Sequence, residues 1–346
     1  MIYKSFKVFI IFIAMTVFLC QFNYAEAIPD VAAKSYIVID ADSGRIISSR
    51  NANEKLPIAS TTKIMTTILS IENADNLTQK IEVPAFSTGI EGSSIYLKPR
   101  QMVSITDLLY GTMLRSGNDA AETLAAFTGR NSQEGFVSMM NDKAVEIGAY
   151  NTCFANACGL HDDNHYSTAY DLALISKYAM RNETFKEIVS TVKYKAESLN
   201  TILYNKNKVV LEYEYGSGVK IGYTKAAGRC LVASAEKEGI EIIVVVLNDN
   251  DWFNDSYKLF DWAFENYKNY SIVEKNQYVG TASDGKPVFI SDSFTYLLTE
   301  DEKNKVRFEL NITTPHIVNN KNNTIYGTYN IFLKNELIHT GSLMGN

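Results

Sequence analysis

A chain of 346 residues is longer than a single hydrophobic core usually grows, about 250–300 residues, so one large domain with a smaller companion is expected. Apolar residues at 46% against charged residues at 21% exclude a disordered chain and a membrane-embedded one. A formal net charge of −6 without any basic run excludes a broad phosphate-binding face, and with it a nucleic-acid partner.

Lys4 and Lys7 precede an apolar run from Val8 to Cys20, and Ala25-Glu26-Ala27 supplies the small residues that signal peptidase reads. Residues 1–27 are therefore expected to be a secretory signal cleaved after Ala27. The run is shorter than the roughly 17–25 residues of a spanning helix, which disfavours a retained anchor. Leu19, before Cys20, is larger than lipoprotein processing wants. Past the signal, Cys153, Cys158 and Cys230 leave an odd number of thiols for an oxidising compartment. Cys153 and Cys158 are near enough in sequence to pair, which spacing alone does not decide, and Cys230 in a strand-like run reads as a buried free thiol.

Residues 35–40 and 45–49 read as strand, turn, strand, with Gly44 available for positive φ. From Ser60 the residues Ile64, Met65, Ile68, Leu69 and Ile71 recur at helical spacing and predict a helix with Ser60 at its N-terminal end. Ser104 and Asp107 form a capping-box pattern ahead of a second helix, and further helices are expected from near Asp119, over 135–147 and over 169–180. The segments 218–224, 230–235 and 242–247 then read as three strands, with a closing helix over 252–267. Strands from both ends of this region flanking a helical middle imply an α/β fold, an antiparallel sheet with helices packed on it and a helical subdomain. After about Tyr270, short alternating stretches such as Val306, Phe308, Leu310 and Ile312 predict a small all-β domain ending in a hairpin with its turn near Asn335. No amphipathic run follows that hairpin. The expected division is 1–27 signal, 28–269 catalytic domain and 270–346 small β domain.

Three clusters carry the chemistry. In Ser60-Thr61-Thr62-Lys63 the lysine lies one helical turn from the serine, where a neutral amine can take the hydroxyl proton and the helix N-terminus favours developing negative charge. Ser116-Gly117-Asn118 sits between two predicted helices and aims a hydroxyl and an amide into a cleft. Lys220-Ile221-Gly222 lies on a predicted strand, where Lys220 supplies positive charge and Gly222 permits close approach of a substrate backbone. Taken singly, each has a bland explanation: an N-cap with a solvated lysine, a connecting turn, a kinked strand.

Jointly and in this order, the clusters resemble the serine, S-x-N and K-T-G motifs of penicillin-binding proteins and serine β-lactamases. Longer phrases resemble the low-molecular-weight D-Ala-D-Ala carboxypeptidases, among them Ile58 to Thr66, Ser116 to Ala121, His165 to Asp171, Asn205 to Lys208 and Gly222 to Cys230. The resemblance implies a β-lactamase/transpeptidase-like catalytic domain followed by the β domain. It implies Ser60 as nucleophile and Lys63 as general base, with Ser116 and Asn118 relaying protons and orienting peptide. Lys220, Gly222 and Tyr223 would bind substrate, the backbone N–H groups of Ser60 and Tyr223 forming the oxyanion hole. Asp171 is expected to support the loop below the site. The implied partners are peptidoglycan stem peptides ending in D-Ala-D-Ala, and β-lactam antibiotics as covalent inhibitors. No cofactor or metal is implied. The implied location is extracellular, in the cell wall or at the outer face of the cytoplasmic membrane, with membrane contact at most through an uncleaved signal.

One position departs from the pattern: Ile221 stands where the family has a threonine whose hydroxyl binds the terminal carboxylate. Strand alternation puts Thr224 on the opposite face, away from that role. The departure motivates a second expectation, a catalytically impaired peptidoglycan-binding protein. A β-lactamase is disfavoured, because no glutamate motif for positioning the deacylating water follows the S-x-N cluster. Endopeptidase action on cross-links is a third reading. His161 and His165 flank Asp162 and Asp163, but their loop-like surroundings argue against a metal site.

Overall fold

The computed structural model of the chain describes residues 27–317 and 324–345, so the signal-peptide expectation lies outside the described residues apart from Ala27. The chain opens on the expected hairpin, β1 (Ser35–Asp40) antiparallel to β2 (Ile46–Arg50), with Gly44 at φ +79° in the turn. A 3-10 turn over Ala59–Thr62 leads into α1 (Lys63–Glu72), which buries Ile64, Met65, Ile68 and Leu69. A small ribbon of β3 (Lys80–Glu82) and β4 (Met102–Ser104) follows. The helical middle is α2 (Ile105–Leu114), α3 (Asn118–Thr128), α4 (Gln133–Ile147) and α5 (Ala169–Met180), where the apolar spacing predicts helices.

The capping box at α2 is only half formed. Ser104 Oγ accepts from Asp107 N–H at 3.1 Å, but the Asp107 carboxylate accepts instead from Tyr194 Oη and Ser198 N, both at 2.7 Å. An aspartate is one methylene shorter than the glutamate or glutamine that usually closes the box, and here it ties α2 to a distant hairpin. That hairpin, β5 (Lys193–Ala196) with β6 (Thr201–Tyr204), and the short helices α6 (Glu183–Ser190) and α7 (Lys208–Glu212) are elements the periodicity does not reveal, because each spans only one or two periods.

β7 (Gly216–Thr224), β8 (Gly228–Lys237) and β9 (Ile240–Leu247) then run as consecutive antiparallel strands, and α8 (Trp252–Asn266) closes the domain. The sheet order is β2-β1-β9-β8-β7, so the first hairpin docks on the strands that follow the helices. Period-two alternation divides its side chains between two cores. Ile37, Ile39, Val232, Ile243 and Val245 pack under α1, α2 and α5, whereas Val38, Leu231, Val244 and Val246 pack under Leu259 and Phe260 of α8. Burial on both faces explains why β9 reads as a continuous β-branched run.

The C-terminal region contains β10 (Lys268–Val273), β11 (Tyr278–Thr281), β12 (Pro287–Ile290), β13 (Phe294–Leu298), the one-turn helix α9 (Glu300–Lys303), β14 (Val306–Ile317), β15 (Thr324–Leu333) and β16 (Glu336–Gly345). β10 pairs with β13, and a five-stranded sheet runs β11-β12-β16-β15-β14 around a core of Val288, Ile290, Tyr329, Ile331 and Leu343. Lys334 and Asn335 take φ of +50° and +73° in the last hairpin turn, as the sequence predicts. The whole is the expected architecture, an α/β domain built on an antiparallel sheet, then a β domain, with α9 its one helical interruption among the described residues. Cys153, Cys158 and Cys230 are all free thiols, so the pairing left open by spacing is not made. Among the described residues, no helix is long and apolar enough to cross a membrane.

Candidate active site

Ser60 is aimed by strained backbone. Ala59, immediately before it, holds φ +48°, a region that non-glycine residues rarely enter, and Thr61 Oγ1 and Thr62 Oγ1 bond back to the carbonyls of Ile58 and Ala59. One turn later Lys63 is fully buried, its Nζ 2.9 Å from Ser60 Oγ and 2.8 Å from Asn118 Oδ1, with the Cys158 carbonyl as third acceptor. All three acceptors are neutral. Burial therefore dominates and lowers the amine from its ordinary 10.5 to about 8, against weaker opposing fields from Cys158, Glu122 and Asp119.

The loop between α2 and α3 brings in the second cluster. Ser116 adopts φ +60° and Asn118 begins α3, its backbone N–H donating to Ser93 O at 2.7 Å and its side-chain amide to Glu91 O. The Asp119 carboxylate accepts from Ile95 N, Leu97 N and Ser94 Oγ, which fixes the 91–97 segment as a wall of the cleft. From β7, Lys220 reaches across with Nζ 3.1 Å from Ser116 Oγ and 2.8 Å from its neighbour's carbonyl, Ile221 O. Burial, with Lys63 and Lys206 as neighbouring cations, pushes the Lys220 amine well below its usual range.

Gly222 is where β7 touches the nucleophile turn: a Cβ there would stand 2.9 Å from Ser60 N and 3.1 Å from Thr61 N. Ser60, Ser116, Asn118, Gly222 and Tyr223 line one cavity of about 410 Å³. The residues that the sequence singles out thus converge, with Lys63 and Lys220 buried directly behind that lining. Asp171 lies away from it, accepting from Asn151 N and Thr152 Oγ1, as expected of a loop support.

Thr224 also lines the cavity, its hydroxyl accepting from Ala227 N at 3.0 Å, and it keeps the alternation of β7. The register with β8 is unbroken from Val219 to Thr224, so Thr224 has the parity of Lys220 and Gly222, while Ile221 packs with Leu231 toward the α8-side core. Other contributors carry little or no residue-type signal. The Cys158 carbonyl is backbone, and the turn presenting it is held by Asn156 Oδ1, which accepts from Gly159 N at 2.7 Å and Leu160 N at 3.1 Å. Lys206 and Trp252 also line the cleft, Lys206 within a phrase whose family resemblance is the sole hint. His165 is no loop ligand: both of its ring nitrogens are engaged within the protein, and His339 stacks on Phe294 with ring centroids 4.1 Å apart.

A family model described as D-alanyl-D-alanine carboxypeptidase matches residues 22–251. The chain is 34% identical over 304 residues to the D-alanyl-D-alanine carboxypeptidase DacF of Bacillus subtilis (strain 168), across 82% of this chain and 78% of that protein. It is 37% identical over 268 residues to DacC of Escherichia coli (strain K12), across 71% of this chain and 64% of the relative. Its fold matches the crystal structure of penicillin binding protein 5 from Haemophilus influenzae with a TM-score of 0.77 at 24% identity, covering 92% of this chain and 97% of that one. The motif order, the convergent cleft and these matches agree: the chain belongs to the D-alanyl-D-alanine carboxypeptidase family of serine peptidases.

Proposed function

We propose that this carboxypeptidase acts outside the cytoplasm on peptidoglycan stem pentapeptides, removing the terminal D-alanine through an acyl-enzyme on Ser60. The observation that carries the reading is the Ser60–Lys63 pair, a hydroxyl 2.9 Å from a buried amine whose pKa is lowered to about 8. Neutral Lys63 takes the Ser60 proton as Oγ attacks the carbonyl carbon between the two D-alanines. The oxyanion forms beside the N–H groups of Ser60 and Tyr223, a placement supported by the close approach of Gly222 to Ser60 N. Collapse breaks the C–N bond, the departing amine taking a proton back through Lys63 or Ser116. Water then adds to the ester, its proton passing to Lys63, and releases the shortened peptide with Ser60 restored. Asn118 orients the peptide, and Lys220, whose amine burial and neighbouring cations depress, takes up a proton as the terminal carboxylate docks beside it and so supplies the pairing charge. A β-lactam would acylate the same hydroxyl and leave slowly.

Ile221 favours a second reading, a wall-binding protein of low turnover, since a hydrocarbon side chain lines the cleft where the family's hydroxyl would stand. One experiment separates the two: turnover of a pentapeptide ending in D-Ala-D-Ala, and labelling by a fluorescent penicillin, for the native chain and Ser60→Ala. Release of D-alanine with label on Ser60 supports the enzyme. Binding of muropeptide with neither turnover nor label supports the second reading.

A further inference from the structure

His165 is buried, and its two nitrogens have different partners. Nδ1 lies 3.0 Å from the Ala155 backbone N–H, which an unprotonated nitrogen alone accepts. Nε2 therefore carries the hydrogen and donates to Thr62 Oγ1 at 2.7 Å. The Thr62 hydroxyl passes its own hydrogen to Ala59 O at 2.8 Å. Ala59 is the left-handed residue, φ +48°, that directly precedes Ser60. Gly159 presses on the same carbonyl, since a Cβ there would stand 2.0 Å from Ala59 O. Ala155 opens the segment that continues to Cys158, whose carbonyl accepts from Lys63.

We propose that His165 is a positioning residue for the nucleophile: the chain Ala155–His165–Thr62–Ala59 locks the left-handed turn that aims Ser60 Oγ at Lys63 and couples it to the segment bearing the Cys158 carbonyl. The inference rests on the functional reading above. A non-glycine residue at positive φ is strained and persists only where its surroundings over-determine it. The hydroxyl of Thr62 bonds the Ala59 carbonyl, and the backbone of Gly159 packs against it. Release of the first lets the turn relax, and a displacement of about 1 Å at a reacting atom can cost on the order of a hundredfold in rate.

The test is the single-turnover rate of acylation by a fluorescent penicillin, with noncovalent Kd and melting temperature measured on the same full-length samples. Thr62→Val removes the hydroxyl at nearly constant shape, Thr62→Ser returns it, and His165→Asn keeps an acceptor for Ala155 N–H while falling short of Thr62. Thr62→Val is expected to acylate roughly ten- to a hundredfold more slowly at unchanged Kd, with Thr62→Ser within about threefold of the native chain. Because His165 acts through Thr62, the double variant Thr62→Val/His165→Asn should be no slower than Thr62→Val. Native-rate acylation by Thr62→Val, no recovery in Thr62→Ser, or multiplicative losses in the double variant each overturn the proposal while leaving the functional reading intact. If Thr62→Val does not fold, His165→Asn decides: slower acylation at unchanged Kd supports the proposal, and the native rate overturns it. Absence of label on the native chain overturns the functional reading and this inference with it.

Discussion

Lys63 and Lys220 are both fully buried in one cleft, and their environments differ in what they allow. Lys63 has three neutral acceptors and weak carboxylate fields from Glu122 and Asp119, which leave its amine at about 8. A base that must be neutral to accept the Ser60 proton works only above its pKa. Acylation by penicillin, followed as kinact/KI against pH, should therefore rise about tenfold per unit below pH 8 and level off above it. A profile flat across that range would remove Lys63 from the role of general base. Ile221 bears on binding instead. It is half-buried, packs partly against the α8-side core and lines the cleft, so a threonine there fits sterically and restores a hydroxyl. A hydrogen bond to a charged group contributes about 1.5–3 kcal/mol, which corresponds to about ten- to a hundredfold. Ile221→Thr should raise kcat/KM for a D-Ala-D-Ala peptide by that factor. No gain would mean that another group of the cleft already compensates for the missing hydroxyl.

The site is assembled where three elements meet: the 3-10 turn before α1, the α2–α3 loop, and β7. β7 meets the nucleophile turn at Gly222, and the atoms that an added Cβ would strike at 2.9 and 3.1 Å are backbone nitrogens of that turn, which cannot swing aside as a side chain would. Gly222→Ala should accordingly push β7 back, slowing acylation by roughly tenfold or more and destabilising the fold by about 1–3 kcal/mol, read from labelling time courses and melting curves. Much of this arrangement is legible in the sequence, because long periodic segments such as 169–180 and the alternating strands 218–224 and 242–247 carry one dominant signal each. The three clusters are legible as chemistry because hydroxyl, amine and amide types recur in a known order. What escapes is contributed by backbone or decided by ends. The Cys158 carbonyl leaves no mark in residue type, and Asp107 satisfies a distant hairpin where a capping bond was expected. His165, placed in a loop by its Asn- and Asp-rich neighbours, is buried by contacts with residues a hundred positions earlier.

At the scale of the molecule, the two domains are joined through a clamp remote from the cleft. Arg45, in the β1–β2 hairpin, donates to both oxygens of Glu302 in α9 at 2.7 Å and to the Leu297 carbonyl, with its guanidinium over the rings of Tyr267 and Tyr296 at 5.4 and 5.3 Å. Lys334 from the last hairpin adds a bond to Glu302 at 2.9 Å. Burial alone would raise the Glu302 carboxyl, but the bonds from Arg45 and Lys334 outweigh it and lower the group from 4.5 to about 2. A carboxylate depressed in the folded state contributes stability that is complete above its unfolded pKa and is lost as pH falls through its folded one. Arg45→Met leaves Glu302 with Lys334 and the Thr299 N–H and should destabilise the chain by about 3 kcal/mol near neutral pH, since removing one partner of a buried pair costs about 3–5. By calorimetry, the gap between native and variant should hold steady above about pH 5 and shrink as pH falls from 4.5 toward 2. Acylation of Ser60 by penicillin at neutral pH should stay within about twofold of native, because nothing in the clamp touches the cleft. A pH-independent gap would show that Arg45 acts through its stacking on the two tyrosines and not through its ion pair.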